Sequence, residues 1–261
     1  PALLKLKTHF LNEGTLIKTS NSRIIARYVN KDPNLHKYVR DLLKQLGVEL
    51  KEPLKFDPSR GAFVTIIDST TSRILHKAGI PTGPKTMSNP TLDPAIYYNE
   101  KLRKYHFQTT FTEEGSSDIR IKNRKVVMRI TWCRSIDITD NLTLEQREKI
   151  RSLIPPGKKI GVGKVKDPSI KRIILNNPPK LLEMERHVLV AVHKTSHPKI
   201  TNFTIKPSSI RRSKKDRITV SWVASTESAE LLDLIVKEYG MLSGTWKAKK
   251  LKMQYALYTT Y

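Results

Sequence analysis

One stretch of this chain occurs twice. Leu6, Thr8, Phe10, Glu13 and Gly14 match Phe107, Thr109, Phe111, Glu114 and Gly115 at one offset. After one residue of slippage, Ile24-Ile25-Ala26-Arg27 matches Val126-Val127-Met128-Arg129. In each copy an apolar pattern at helical spacing stops at an acid and a glycine, and strand-like sequence follows. Such a chain folds as two similar halves, with Glu13 and Glu114 at equivalent places.

Within the first copy, Leu3, Leu4, Leu6, Phe10 and Leu11 predict a helix with Gly14 as its C-terminal residue. Residues 15–20 and 23–30 read as a hairpin, and Asp32-Pro33 opens a helix that ends at Gly47. A second hairpin follows over residues 48–56 and 61–68, and then a short helix capped by Ser69 that ends at Gly79. The order αββαββα occupies residues 1–80. Residues 81–97 are proline-rich and read as a linker.

Residues 98–241 then repeat the order: helix 98–114, hairpin 117–122 and 125–133, and helix 143–154 capped by Thr143. A basic insertion at 155–180 has no counterpart in the first copy. It either touches a ligand or decorates the second half. A helix at 181–194, a hairpin at 199–206 and 216–224, and a helix from Glu227 to Tyr239 complete the copy. Residues 242–261 form a basic tail, helical from Trp246. The fold class is therefore α+β, with a pseudo-two-fold pair of αββαββα units and two antiparallel sheets.

Charge narrows the partner. The chain carries 48 Lys and Arg against 24 Asp and Glu, a net +24, spread along its length. A polyanion is the natural partner of such a surface. Cys133 is the one cysteine, which excludes a disulfide framework and a cysteine zinc site. His193 and His197 share a helical spacing but lie where a helix ends, and read as surface residues. No apolar run reaches the length of a membrane span and no signal peptide is visible, which points to an intracellular, non-secreted chain.

Strand alternation reports what each sheet touches. Asp118, Arg120 and Lys122 share one face, opposite Ile119 and Ile121. Asn202, Thr204 and Lys206 oppose Phe203 and Ile205; Arg217, Thr219 and Ser221 oppose Ile218, Val220 and Trp222. The turn Arg211-Arg212-Ser213-Lys214-Lys215 would meet phosphates at the rim of such a polar face, and a two-stranded ribbon fits a DNA major groove. A carboxylate at a helix C-terminus faces the negative end of the helix dipole, a cost that a bound divalent cation would reverse.

With residues 6–14 and 107–115 as the two motifs, the duplicated order resembles the single-chain LAGLIDADG homing endonucleases. Val29-Asn30-Lys31-Asp32-Pro33 and the linker's Gly83-Pro84-Lys85-Thr86 have the same look, so the likeness covers nearly the whole chain. The resemblance implies that the motif helices pack together and that Glu13 and Glu114, with Gly14 and Gly115, hold Mg²⁺, or Mn²⁺ in its place. It implies a saddle of two sheets over double-stranded DNA. Lys18, Arg23, Arg27, Arg120, Lys122, Arg129, Asn202, Thr204, Lys206, Arg211, Arg212, Lys214, Lys215, Arg217, Thr219 and Ser221 would face that DNA. The implied activity is site-specific double-strand cleavage by a monomer. A non-cleaving DNA binder, an intron RNA maturase and a ribosomal RNA-binding protein are the competing readings.

The chain also departs from that pattern. Thr8 and Thr109 stand where a smaller residue is usual, which sets the helices farther apart. Asn12 and Glu113 replace a small residue before each acid. An auxiliary basic residue near the metals stays unassigned among the strand-end Lys and Gln residues.

Overall fold

The computed structural model describes every residue except Lys51, Arg124, Lys199, Thr201, Asn202 and Tyr261. The expectation for Asn202 therefore lies outside the described residues. The first copy runs α1 (Ala2–Asn12), β1 (Gly14–Lys18), β2 (Ile24–Asn30), α2 (Pro33–Gln45), β3 (Lys55–Asp57), β4 (Ala62–Ile67) and α3 (Ser69–Lys77). Two one-turn helices follow, α4 (Lys85–Ser88) and α5 (Ala95–Tyr98). The second copy starts with α6 (Glu100–Glu113), β5 (Gly115–Lys122), β6 (Lys125–Asp137) and α7 (Leu144–Leu153). It continues with β7 (Lys159–Gly161), α8 (Pro168–Leu175), α9 (Lys180–His193), β8 (Thr204–Arg212), β9 (Ile218–Thr226) and α10 (Ala229–Leu234). A π-helical turn over Ile235–Tyr239 and α11 (Trp246–Thr260) close the chain. The fold is α+β with two antiparallel sheets, and the second run of elements follows the order of the first except that β7, α8 and α9 stand between α7 and β8.

The chain divides into two compact units. The first contains Pro1–Lys85, Asp93–Ile130 and Glu227–Tyr261. Its sheet has the order β1-β2-β4-β3, covered on one face by α1, α2 and α3. Leu16, Ala26, Tyr28 and Ile67 are fully buried on that face. The last two turns of α1, Leu6 to Asn12, are buried all round although they include Lys7, Thr8, His9 and Asn12. In α6, His106, Phe107 and Thr109–Glu113 are buried likewise, and the two helices pack on each other. A helix buried on every side belongs to the core.

The second unit contains Thr86–Leu92 and Thr131–Thr226. The second sheet has the order β5-β6-β9-β8-β7. The core is built around Trp132, whose ring lies 5.0 Å from Phe203. Its indole N–H donates to Glu185 at 2.9 Å, and the same buried carboxylate takes the Arg134 guanidinium at 2.6 Å. Each partner satisfies what burial would otherwise leave exposed to a low-dielectric interior.

Several local expectations are corrected. The strand expected over 48–56 shrinks to β3, because Arg40 donates to the carbonyls of Leu50 and Glu52 at 2.9 and 2.7 Å and holds that segment outside the ladder. Asp68, not Ser69, caps α3: its carboxylate accepts from the Thr71 N–H at 2.9 Å. The insertion at 155–180 is structured. β7 pairs with β8, and α8 buries Ile170 and Ile174 behind an Asp167 cap. Ile121, expected in the core, is 79% exposed, because the outer half of β5 runs past the buried layer. Thr143 caps α7 as expected, and Gln146 completes a capping box with it.

Candidate active site

Glu13 and Glu114 close α1 and α6 as cap residues, with φ of −110° and −101°. The glycines after them do not take the left-handed conformation that helix-ending glycine usually supplies, unlike Gly47 (φ 77°) and Gly79 (φ 94°). They are required by proximity. A Cβ on Gly14 would sit 2.6 Å from Phe10 Cα, and one on Gly115 would sit 2.2 Å from the Phe111 carbonyl oxygen. The chain turns from helix into strand directly against the preceding turn, where only hydrogen fits.

The two acids feel one another. Glu13 is pushed up to about 7, first by burial, then by the charges of Glu114 and Glu113, while Lys85 and Lys247 pull the other way. Like charges forced together in a partly dry site are a mark of functional carboxylates. Beside Glu13 lies a cleft of about 330 Å³, walled by Val29, Leu35, Thr112, Glu113, Trp246 and Lys247, among others.

Two lysines answer this negative charge, one at each helix end. Lys85, first residue of α4, donates to the Asn12 carbonyl and reaches the Phe10 carbonyl at 3.4 Å. Lys247, in the first turn of α11, donates to the carbonyls of Gly115 (2.8 Å) and Glu113 (3.1 Å). Both ammonium groups sit where a helix dipole is negative. Burial lowers the Lys247 pKa, against the raising charges of Glu13, Glu114 and Glu113. Neither lysine is at a strand end. The signal that could have found them is the repeat itself, since each follows the last helix of its copy.

The helix pair is joined by a buried polar network that sequence reasoning missed. His9 Nδ1 lies 2.5 Å from Glu113 Oε1 and its Nε2 lies 2.9 Å from the Tyr105 hydroxyl. Tyr28 donates its hydroxyl to the same Glu113 oxygen, and burial raises its pKa well above the usual value. Thr8 Oγ1 meets His106 Nδ1 at 3.1 Å. These side-chain pairs join α1 to α6.

The expected DNA-facing residues divide by what they touch. Lys18, Arg23, Thr204, Lys206, Arg211, Lys214 and Lys215 are exposed. Thr219 lies opposite Arg211 and Ser221 opposite Ser209, on one polar face. Ser221 meets Ser135 at 2.9 Å. Others are engaged within the protein. Arg120 and Lys122 pair with Glu227, and Arg129 with Asp118. Arg217 pairs with Asp137 and Asp140, and Arg212 with Asp216 and the carbonyls of Arg151 and Ile154. Arg27 is half-buried on the first sheet, and its Nε has no hydrogen-bond partner among the described residues.

The donor set suits a hard cation. Mg²⁺ typically takes one or two carboxylates and completes its shell with water and substrate phosphates, so it needs no all-protein cage. Among the described residues no three His, Cys, Asp or Glu side chains cluster as such a cage. Glu13 and Glu114 offer the two carboxylates, with a mutual repulsion that a cation would relieve. The Gly115 carbonyl already accepts from Lys247. Among the described residues no helix is long and apolar enough to cross a membrane.

No protein-family model and no curated protein sequence matches the chain. It is similar to the solved LAGLIDADG homing endonuclease I-GzeII in complex with its DNA target, at 7% identity over 99% of this chain and 90% of that one, with a TM-score of 0.46. The LAGLIDADG meganuclease I-AabMI bound to uncleaved DNA gives 12% identity over 98% and 90%, with a TM-score of 0.43. The N-terminal LAGLIDADG domain of DUF199/WhiA gives 11% over 93% and 83%, with a TM-score of 0.39.

Proposed function

We propose that the chain is a metal-dependent, site-specific DNA endonuclease that makes staggered double-strand breaks in a long target. The observation that carries this reading is the Glu13–Glu114 pair, two helix-ending carboxylates between two helix-capping lysines, with Glu13 raised to about 7 by burial and then by the charges of Glu114 and Glu113. Such an arrangement costs stability and has no packing rationale, which favours chemistry.

Glu13 and Glu114 would hold Mg²⁺, or Mn²⁺ in its place. That ion supplies the charge that polarises a phosphodiester and acidifies water. Lys85 and Lys247 stand at the two ends of the pair, ready to orient phosphate oxygens and water. Lys247, whose proton is held less tightly than usual, is suited to protonate a leaving oxygen. The net charge of +24 draws DNA to the protein, and the exposed Lys and Arg side chains position its backbone.

The test is selection of cleaved sites from a randomised DNA library in Mg²⁺ and in EDTA. The expected result is discrete breaks at one long site in Mg²⁺ alone, lost in Glu13→Gln and Glu114→Gln while target affinity is retained. Sequence-selective binding with no cut in Mg²⁺ or Mn²⁺ would overturn the enzymatic reading in favour of a binder. Selective capture of structured RNA over DNA would point to a maturase.

A further inference from the structure

The outer face of the first sheet is aliphatic. Antiparallel register sorts its side chains into rows: Thr15, Arg27 and Ile66 in one, Ile17 and Ile25 in the next, and Val29 and Val64, ending at Lys55 on the edge strand, in a third. The alternate positions, Leu16, Ala26, Tyr28 and Ile67, are fully buried under the helices, so these rows point away from the core. Ile17, Ile25, Val29 and Val64 are half-buried and Ile66 is 58% exposed. A sheet with one helix-covered face normally turns polar residues outward. Here five β-branched aliphatic residues take those positions in a chain of net charge +24. Aliphatic rows on either side of a central arginine, in a strongly basic chain, call for a ligand that is both apolar and anionic.

The corresponding face of the second unit is of the other kind. Thr204, Lys206, Ser209, Arg211, Thr219 and Ser221 line it, paired across β8 and β9. These side chains read donors and acceptors. Ile and Val read neither, but they do make contact with the one apolar group on a base edge in the major groove, the 5-methyl of thymine. Exposed Lys18 and Arg23 at the β1–β2 hairpin supply the phosphate contacts beside the aliphatic rows. A protein partner would favour a patch depleted of charge at its centre. Arg27 instead sits in the central row between Thr15 and Ile66. A guanidinium so placed matches the O6 and N7 acceptors of guanine.

We propose that the first sheet selects its DNA half-site by thymine methyl groups, with Arg27 as a guanine-reading donor set among them. This rests on the DNA reading above and adds to it: one half of the target is rich in major-groove thymine methyls, and the other is chosen by hydrogen bonding. The residues that determine specificity in the first half are Ile17, Ile25, Val29, Val64 and Ile66.

Uracil in place of thymine removes the methyl and leaves base pairing intact, so a uracil scan across the selected target tests the proposal. Each contacted methyl lost should weaken binding by about fourfold, the equivalent of about 0.8 kcal/mol per buried carbon. The penalties should cluster in one half-site and shrink in Ile25→Thr and Ile66→Thr, since threonine keeps the β-branch and strand preference. A protein-by-methyl double cycle reads that coupling directly. Arg27→Gln should relax selection of a guanine in the same half. Selective binding or cleavage that ignores uracil in both halves, or penalties unaltered in the threonine variants, overturns the methyl proposal and leaves the endonuclease reading standing. Absence of any sequence-selective DNA binding overturns both.

Discussion

Replacing Glu13 with glutamine should stabilise the metal-free protein, and only at neutral and alkaline pH. The carboxyl is raised from its ordinary 4.5 to about 7 by burial and by the neighbouring charges of Glu114 and Glu113. A raised carboxyl pKa means that the folded state binds the proton more tightly than the unfolded chain. Folding is therefore unpenalised below about 4.5, loses stability as pH rises from there to about 7, and stays flat above. At about 1.4 kcal/mol per pH unit, ionised Glu13 costs the folded state on the order of 3 kcal/mol. Glutamine has the same shape and no charge. Urea denaturation of both proteins in EDTA should therefore give equal stabilities near pH 4 and a variant more stable by on the order of 3 kcal/mol near pH 8. Millimolar Mg²⁺ at pH 8 should raise the wild-type stability and leave the variant little changed. Equal stabilities at pH 8, or a difference that does not vary with pH, would refute the argument that these two helix ends hold an unfavourable carboxylate pair.

Three further outcomes follow from the geometry. Lys247→Met should slow single-turnover cleavage in Mg²⁺ by roughly 10²-fold while leaving target affinity nearly unchanged, and Lys85→Met should do the same. Gly115→Ala forces a Cβ against the Phe111 carbonyl and should cost about 1–3 kcal/mol or more in urea denaturation. Arg134→Met strips the guanidinium from the fully buried Glu185 and should cost about 3–5 kcal/mol, much of it recovered when Glu185 is also made apolar.

The order of elements was legible because local chemistry punctuates it. Asp32-Pro33 and the Thr143–Gln146 capping box start helices through contacts within three residues. The motif acids were legible because duplication marks them. What escaped depends on distant partners. Lys85 sits among prolines and Lys247 in a basic tail, and neither position says that its ammonium reaches the carbonyls of a helix end far along the chain. The basic run at 211–215 reads as a turn in sequence, yet Arg211 and Arg212 end β8, Arg212 is held by Asp216, and the nearby Arg217 by Asp137 and Asp140. Alternation assigned Ile121 to the core because it reports which face a residue is on, not where the core ends. Lengths of hydrophobic runs could not show that Arg40 would take the carbonyls of residues 50 and 52.

The two halves of the site are similar without being equal, and the difference has a consequence. The repeat aligns Asn12 with Glu113 and His9 with Thr110. The residue before the terminal acid is thus a neutral amide in one copy and a carboxyl in the other. Glu113 commits one oxygen to His9 and Tyr28, and its charge adds to that of Glu114 in raising Glu13. Asn12 brings no such charge to Glu114. Two identical carboxylates in one site would share a proton as a pair. Burial, with the charges of Glu114 and Glu113, keeps a proton on Glu13 up to about pH 7. A cation that enters the pair must displace it, so metal affinity should climb as pH rises through about 7. Below that pH the proton on Glu13 takes the cation's place and lets two helix ends, each closing on a glutamate, stay together without a metal.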